Sequence, residues 1–142
     1  MKSTRQKVMA TALLALGLGP HAPLIAAEGE RLTGGEITEA LRGATLVGVY
    51  NDGRDSAYRE TYNADGTIAY HDEENGDLKG VWGVNANTFC TYYDGIPGTC
   101  FQVRASGANC FFFVAVDVAD RPPRPNDWTA RGWKDGVPST CD

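Results

Sequence analysis

The sequence predicts a mainly β protein: a small antiparallel up-and-down barrel of about seven to eight strands with one short N-terminal helix. From Ala44 onward, short segments rich in β-branched and aromatic residues alternate with turn residues. Only one stretch, beginning near Thr33, carries a helix signal. Residues 28–142 have the size of one domain. A flattened barrel or a two-sheet sandwich is the alternative architecture.

The helix signal has a clear start and a clear end. Thr33 followed three residues later by Glu36 is the pattern of a capping box. Ile37 and Leu41 then fall on one side at helical spacing, and Gly43 ends the segment. A helix of about two turns is marginal alone, so we expect it to pack over an open end of the barrel.

Seven strands are predicted after the helix. They cover residues 45–50, 57–62, 67–71, 79–84, 88–93, 99–104 and 110–116. The last of them lacks polar alternation and is therefore expected to be buried on both faces. In the fourth strand, Trp82 and Val84 share one face and are candidates for the core.

The turn at residues 64–66 sets the register of one hairpin. A three-residue loop with Gly66 in the left-handed conformation pairs Tyr62 with Ile68, and this pairing also places Glu60 opposite Tyr70. Four side chains then share one face: Tyr58, Tyr62, Ile68 and Tyr70.

This face supplies the candidate ligand site. Tyrosines combine an apolar ring with a polar tip, which suits a small-molecule pocket, and Glu60 would add a carboxylate. The candidate ligand-binding residues are Tyr58, Glu60, Tyr62 and Tyr70. The alternative is ordinary packing across a pleated sheet. Glu60 and Tyr70 acting as an acid/base pair is a further alternative.

Four cysteines predict two disulfides and an oxidising compartment. A hairpin symmetric about Gly95 places Cys90 directly opposite Cys100, close enough to bridge. Of the three pairings that four cysteines allow, this geometry favours Cys90–Cys100 and leaves Cys110–Cys141.

The first 27 residues are typical of a signal peptide. Three basic residues precede an apolar run at 8–18 that is too short to span a bilayer, and small residues before position 28 predict cleavage after Ala27. No lipobox cysteine follows, so we expect no membrane anchor after cleavage. The bacterial character of the signal predicts a periplasmic or secreted protein.

Charge limits the partners. Residues 28–142 keep all eighteen acidic residues and ten of the thirteen basic ones, a formal charge near −8. An acidic chain disfavours nucleic acid and anionic membrane surfaces as partners.

The C-terminal part, residues 120–142, is predicted to be a proline-rich, tryptophan-containing tail outside the barrel domain of residues 28–119. The prolines at 121–125 exclude a helix or sheet interior, and residues 126–142 are expected to be irregular. The tail carries a candidate partner-binding surface formed by Trp128, Arg131 and Trp133, since aromatic residues and arginine are enriched in interface hot spots. The alternative is that both tryptophans cover the barrel end.

Six short motifs resemble a family of small exported bacterial domains of unknown function, of the lipocalin-like, up-and-down β-barrel type. The motifs are L-T-G-G-E-I at 32–37, D-G at 52–53, Y-N-A-D-G-T at 62–67, G-V-W-G-V at 80–84, F-C-T-Y-Y at 89–93 and C-F-Q-V at 100–103. The resemblance spans residues 32–116 and implies a barrel, but no particular activity. A more distant likeness is to periplasmic barrels that inhibit metalloproteases with an N-terminal arm, which here would be residues 28–32.

Catalytic and metal motifs are not found in the sequence. It contains neither G-x-S-x-G nor H-E-x-x-H. His71 is the one histidine after position 27, which excludes a multi-histidine zinc site, and we expect it to lie at a solvated loop edge. The acidic stretch 72–77 could bind calcium through oxygen ligands, but it lacks the ligand spacing of an EF-hand, so we expect a polar turn. We therefore expect no catalytic residue, metal or cofactor.

These observations favour a non-enzymatic periplasmic or secreted binding module that recognises a protein or a small apolar ligand. The alternatives are an inhibitor of a periplasmic hydrolase, such as a protease, or a small barrel enzyme.

Overall fold

The structure is a computed structural model that describes residues 29–119 and 127–141. The expected signal peptide at 1–27 and the proline-rich segment at 121–125 lie outside the described residues.

The described residues form nine strands and two helices. In chain order these are β1 (Glu30–Arg31), α1 (Gly34–Leu41), β2 (Thr45–Tyr50), β3 (Ala57–Tyr62), β4 (Thr67–Asp72), β5 (Gly76–Asn85), β6 (Thr88–Tyr93), β7 (Ile96–Ala105), β8 (Phe111–Ala115), α2 (Val116–Ala119) and β9 (Ala130–Lys134).

Strands β2 to β9 close into an eight-stranded antiparallel barrel, as the sequence predicts. Consecutive strands pair from β2 to β8, and β9 pairs with both β8 and β2 to complete the ring. Closure pairs each of the strands β2 to β9 with a neighbour on both sides. The short β1 pairs with the end of β7 at Ala105 and Arg104.

One prediction about the C-terminal part is wrong. Residues 130–134, expected to belong to an irregular tail, form β9 and close the barrel. Small residues occupy the inward positions of β9, Ala130 and Gly132, so the strand lacks the apolar alternation by which strands are recognised. Its pairing with β2 joins segments about 85 residues apart, which no local pattern reports.

The predicted registers are confirmed. Tyr62 pairs with Ile68 across the 64–66 turn, where Gly66 has a φ of 87°. Cys90 lies opposite Cys100 on β6 and β7, although β7 begins at Ile96, earlier than expected, with an irregularity in β6 between residues 91 and 93.

Both predicted disulfides are present. Cys90–Cys100 bridges neighbouring strands, and Cys110–Cys141 joins the start of β8 to the chain beyond β9. Disulfides are typical of an oxidising environment outside the cytoplasm. Of the helices in the described part of the chain, none has the length and apolar character needed to cross a membrane.

Helix α1 closes one end of the barrel. The predicted capping box is present, with the Thr33 side chain and the Glu36 carboxylate each capping the other's backbone N–H. Ile37 and Leu41 are fully buried in the core, and Arg42 donates a hydrogen bond to the carbonyl of Ala64 in the β3–β4 turn (2.7 Å). Because successive antiparallel strands reverse direction, the loops at 51–56 and 73–75 lie at the opposite end, the mouth of the barrel.

Candidate functional site

The mouth of the barrel holds a wide, acidic cavity of about 740 Å³. Its walls come mainly from the β2–β3 and β4–β5 loops. Four carboxylate side chains line it, those of Asp52, Asp72, Glu73 and Glu74, against one cation, Arg54. The Arg54 guanidinium lies 3.5 Å from the Asp52 carboxylate. The mouth therefore presents a negative surface to solvent.

A smaller cavity of about 210 Å³ occupies the barrel interior. It shares Tyr50 and Thr129 with the mouth cavity, so the two adjoin at these residues. Most of its wall is aromatic. Seven rings line it, those of Tyr50, Tyr58, Tyr62, Phe89, Tyr93, Phe101 and Phe113.

Glu60 is the single charged side chain among the described residues that line the interior cavity. It points inward from β3 and is 6% exposed. The hydroxyl of Tyr62 donates to Oε2 (2.5 Å), and the hydroxyl of Tyr93 donates to Oε1. Each carboxylate oxygen thus has one tyrosine donor, which offsets part of the cost of burying the charge.

Burial controls the ionisation of this group. Removal from water raises the pKa of Glu60 to about 7, although the hydrogen bonds from Tyr62 and Tyr93 favour the ionised form. Burial, and then the charge of Glu60, hold the pKa of Tyr62 and Tyr93 well above the usual tyrosine value, so both phenols stay protonated as donors.

A second chain of hydrogen bonds links the interior to the mouth. The hydroxyls of Tyr50 and Tyr70 are 2.7 Å apart, and Tyr70 donates to Oδ2 of Asp72 (2.5 Å). The backbone and side-chain amides of Asn75 also donate to Asp72. Burial by itself would raise the pKa of Asp72, but these hydrogen bonds outweigh it and lower the pKa. Asp72 is therefore a charged acceptor at the rim.

Tyr58 lies across two glycines on neighbouring strands. A Cβ added to Gly48 would lie 2.7 Å from the Tyr58 ring, and one added to Gly132 would lie 2.6 Å from its hydroxyl. These glycines provide the space that the ring occupies. The Tyr58 ring in turn packs against Tyr50, with centroids 5.0 Å apart.

All four residues of the sequence-based ligand site face the barrel interior. Tyr58, Glu60 and Tyr62 line the cavity, whereas Tyr70 lines the mouth. The hydrogen bonds of Tyr70 go to Tyr50 and Asp72, and those of Glu60 go to Tyr62 and Tyr93. The acid/base pair suggested for Glu60 and Tyr70 is therefore not a hydrogen-bonded pair.

Two further tyrosines that the sequence did not single out line the interior cavity. Tyr50 lies at the end of β2, on the face of Leu46, and Tyr93 lies at the end of β6, on the face of Phe89. Continuing the alternation of Leu46 and Phe89 to the ends of their strands would have placed both tyrosines inside.

The expected partner-binding residues lie on the outside of the barrel. Trp133 and Arg131 are outward, half-buried positions of β9, paired with Val47 and Val49 of β2. The half-buried Trp128 packs edge-on against Phe112. The Arg131 guanidinium lies 5.2 Å from the centre of the Trp128 ring. These contacts tie Trp128 and Arg131 to the barrel wall.

His71 and the N-terminal segment, both outside the barrel interior, make contacts within the fold. His71 is exposed, as expected, and its Nδ1 lies 2.7 Å from the Asp77 carboxylate. At the N-terminal end of the described chain, β1 pairs with β7, and the Leu32 amide donates to the Val103 carbonyl. In residues 29–119 and 127–141, no three or more histidine, cysteine or acidic side chains are grouped as metal ligands.

Comparison with known proteins gives no match: no family model, no curated protein and no solved structure is similar to this chain. The resemblance to small exported bacterial domains stays a prediction; the barrel that it implies is present.

Proposed function

We propose that this protein is a non-enzymatic binding module that holds a small molecule inside its barrel. The observation that carries the proposal is the interior cavity of about 210 Å³, walled by aromatic rings and one carboxylate. Concave, mostly apolar sites with a few well-placed polar groups are the usual form of small-molecule sites, and barrel mouths are one of their preferred places.

The size of the cavity limits the ligand. Its volume of about 210 Å³ lies below the roughly 300–1,000 Å³ of typical ligand pockets, so the ligand is a small one. The ligand enters through the mouth, because α1 covers the other end and the two cavities adjoin at Tyr50 and Thr129.

The place of action is part of the proposal. Two disulfides and the signal-like residues 1–27 support a role in the periplasm or the extracellular medium.

The structure gives less support to binding of a protein partner or to inhibition of a protease. The half-buried Trp128 and Arg131 already pack on the barrel. The segment that would serve as an inhibitory arm is paired with β7 at residues 30–31.

An experiment with small probes tests the proposal. Ligand-observed NMR would measure binding of phenol, p-cresol, choline and 3,3-dimethylbutan-1-ol to residues 28–142. Thr99 is exposed yet lines the interior cavity, so Thr99→Trp should block the site without disturbing the core. Val81→Trp is the matched control, since Val81 is 52% exposed and does not line that cavity.

The expected result is that at least one probe binds to the wild type and to Val81→Trp and loses its binding in Thr99→Trp. The proposal fails if no probe binds the wild type, or if the Thr99→Trp protein binds all of them equally well.

A further inference from the structure

The wall of the interior cavity combines two features that both favour positive charge. Aromatic rings carry negative electrostatic potential on their faces and attract cations placed over them. Seven rings line this cavity together with the carboxylate of Glu60, and none of the described lining residues is a lysine, arginine or histidine.

Glu60 retains capacity for a ligand. An ionised carboxylate offers about four acceptor positions on its two oxygens. The hydroxyls of Tyr62 and Tyr93 take one position on each oxygen. The remaining positions can accept N–H donors from an ammonium group, or attract a quaternary ammonium by charge alone.

The approach to the cavity is negatively charged, like Glu60 in its interior. Asp52, Asp72, Glu73 and Glu74 line the mouth, with Arg54 as their single cationic neighbour there among the described residues. Clefts lined by one sign of charge focus the field and raise the local concentration of the opposite ion. Cations are therefore drawn towards the opening that leads to Glu60.

We propose that the ligand is a small organic cation, an amine or quaternary ammonium compound held between the tyrosine rings and the Glu60 carboxylate. This inference rests on the function proposed above and specifies its ligand class. A neutral apolar ligand would leave Glu60 desolvated without a new partner, and an anion would meet both Glu60 and the acidic mouth. A metal ion lacks the necessary ligands, because the described residues contain no cluster that could hold one.

Binding of a cation favours the ionised form of Glu60. Since burial raises the pKa of Glu60 to about 7, affinity for a quaternary ammonium should rise from pH 6 to pH 8. The tyrosines around Glu60 and the nearby Asp72 do not change charge in this window. The tyrosines on β2, β3, β4 and β6, namely Tyr50, Tyr58, Tyr62, Tyr70 and Tyr93, have raised pKa values and stay neutral, and Asp72, with a lowered pKa, stays ionised.

The test compares choline with 3,3-dimethylbutan-1-ol, which has the same shape without the charge. Isothermal titration calorimetry at pH 8 should show choline binding at least about tenfold more tightly than the neutral alcohol. The variant Glu60→Gln should largely remove this preference. Glu39→Gln removes the same charge from an exposed position on α1, and it should leave the preference unchanged.

The outcomes separate this inference from the function on which it rests. Equal affinity for choline and the alcohol, or a preference that survives in Glu60→Gln, overturns the cation inference while the binding function stands. Failure of every probe, including phenol and p-cresol, overturns the function itself. If Glu60→Gln does not fold, the pH dependence of the wild type tests the inference instead. Its affinity for choline must rise from pH 6 to pH 8, while its affinity for the alcohol must not. A choline affinity that does not change with pH overturns the inference.

Discussion

At the scale of single residues, Glu60 is a buried carboxylate whose charge is costly to hold in the barrel. A carboxylate removed from water destabilises the fold unless donors compensate it. Tyr62 and Tyr93 supply one hydrogen bond each, yet burial still raises the pKa of Glu60 to about 7 from the 4.5 of a free glutamate. Ionised Glu60 therefore destabilises the fold near neutral pH. Strongly shifted pKa values of this kind are common at functional sites.

This cost predicts a pH dependence of stability. The folded state binds the Glu60 proton more tightly than the unfolded state does, so Glu60 adds stability that is full below pH 4.5 and is lost as pH rises to about 7. The free energy of unfolding should fall over this range by about 1.4 kcal/mol per unit of pKa difference, a few kcal/mol in all. Urea unfolding between pH 5 and pH 8, followed by tryptophan fluorescence, measures it.

The variant Glu60→Gln is the control for this prediction, and in it the fall should disappear. Carboxylates with a lowered pKa, such as Asp52 at about 2 and Asp65, lose their contribution only as the solution becomes more acidic, outside the measured range. A wild type whose stability is level from pH 5 to pH 8 would contradict the assignment of a buried, proton-binding Glu60.

At the scale of elements, β2 and β9 are shaped by one side chain of β3. The Tyr58 ring lies over Gly48 and Gly132, which are paired across the β2–β9 ladder. Larger inward residues at either position would compete with the ring for the same space. Glycine at these two positions leaves room for the Tyr58 ring.

Replacing Gly48 by alanine should destabilise the barrel by about 1–3 kcal/mol, because the added Cβ meets the backbone carbonyl of Arg131 and the ring of Tyr58. Gly83→Ala is the matched control: Gly83 also lies in a strand, but nothing is within 4 Å of its added Cβ. Thermal unfolding of both variants checks this. Equal melting temperatures for Gly48→Ala and Gly83→Ala would show that Tyr58 does not depend on the glycine.

The elements also show how far sequence reasoning reaches. Helix α1 and strands β2 to β8 follow from local signals, such as the Thr33–Glu36 box and the turn ending at Gly66. Strand β9 does not, because its inward residues Ala130 and Gly132 give no apolar alternation. The space beside Gly132 is filled by Tyr58, which comes from a distant part of the chain. The candidate site could be predicted only in part. The register of one hairpin places Tyr58, Glu60 and Tyr62 together, but Tyr93 comes from β6, outside that hairpin.

At the scale of the whole molecule, barrel closure depends on the last strand. Strand β9 lies between β2 and β8, and the Cys110–Cys141 bridge anchors the chain just beyond it. The bridge closes a loop with a sequence separation of 31, against 10 for Cys90–Cys100, so it removes more entropy from the unfolded chain.

The two disulfides should therefore differ in effect. Chain-entropy arguments give a loss of about 3.7 kcal/mol for the variant with Cys110→Ser and Cys141→Ser, and about 2.7 kcal/mol for that with Cys90→Ser and Cys100→Ser. Chemical denaturation of both double variants, each with its remaining bridge oxidised, measures the difference. A larger loss from the Cys90 and Cys100 pair would contradict the argument from loop length.

The amino-acid sequence by itself determined the fold class, the strand registers of two hairpins and both disulfide pairs, because turn residues and residue alternation act over short distances. Only the tertiary structure decided that residues 130–134 complete the barrel and that Glu60 meets Tyr93 beside a cavity. The physical reason is closure. Closing the sheet pairs its first and last strands, and it also brings inward side chains of strands that are not neighbours, such as β3 and β6, together in the interior. Contacts so far apart along the chain carry no local signal.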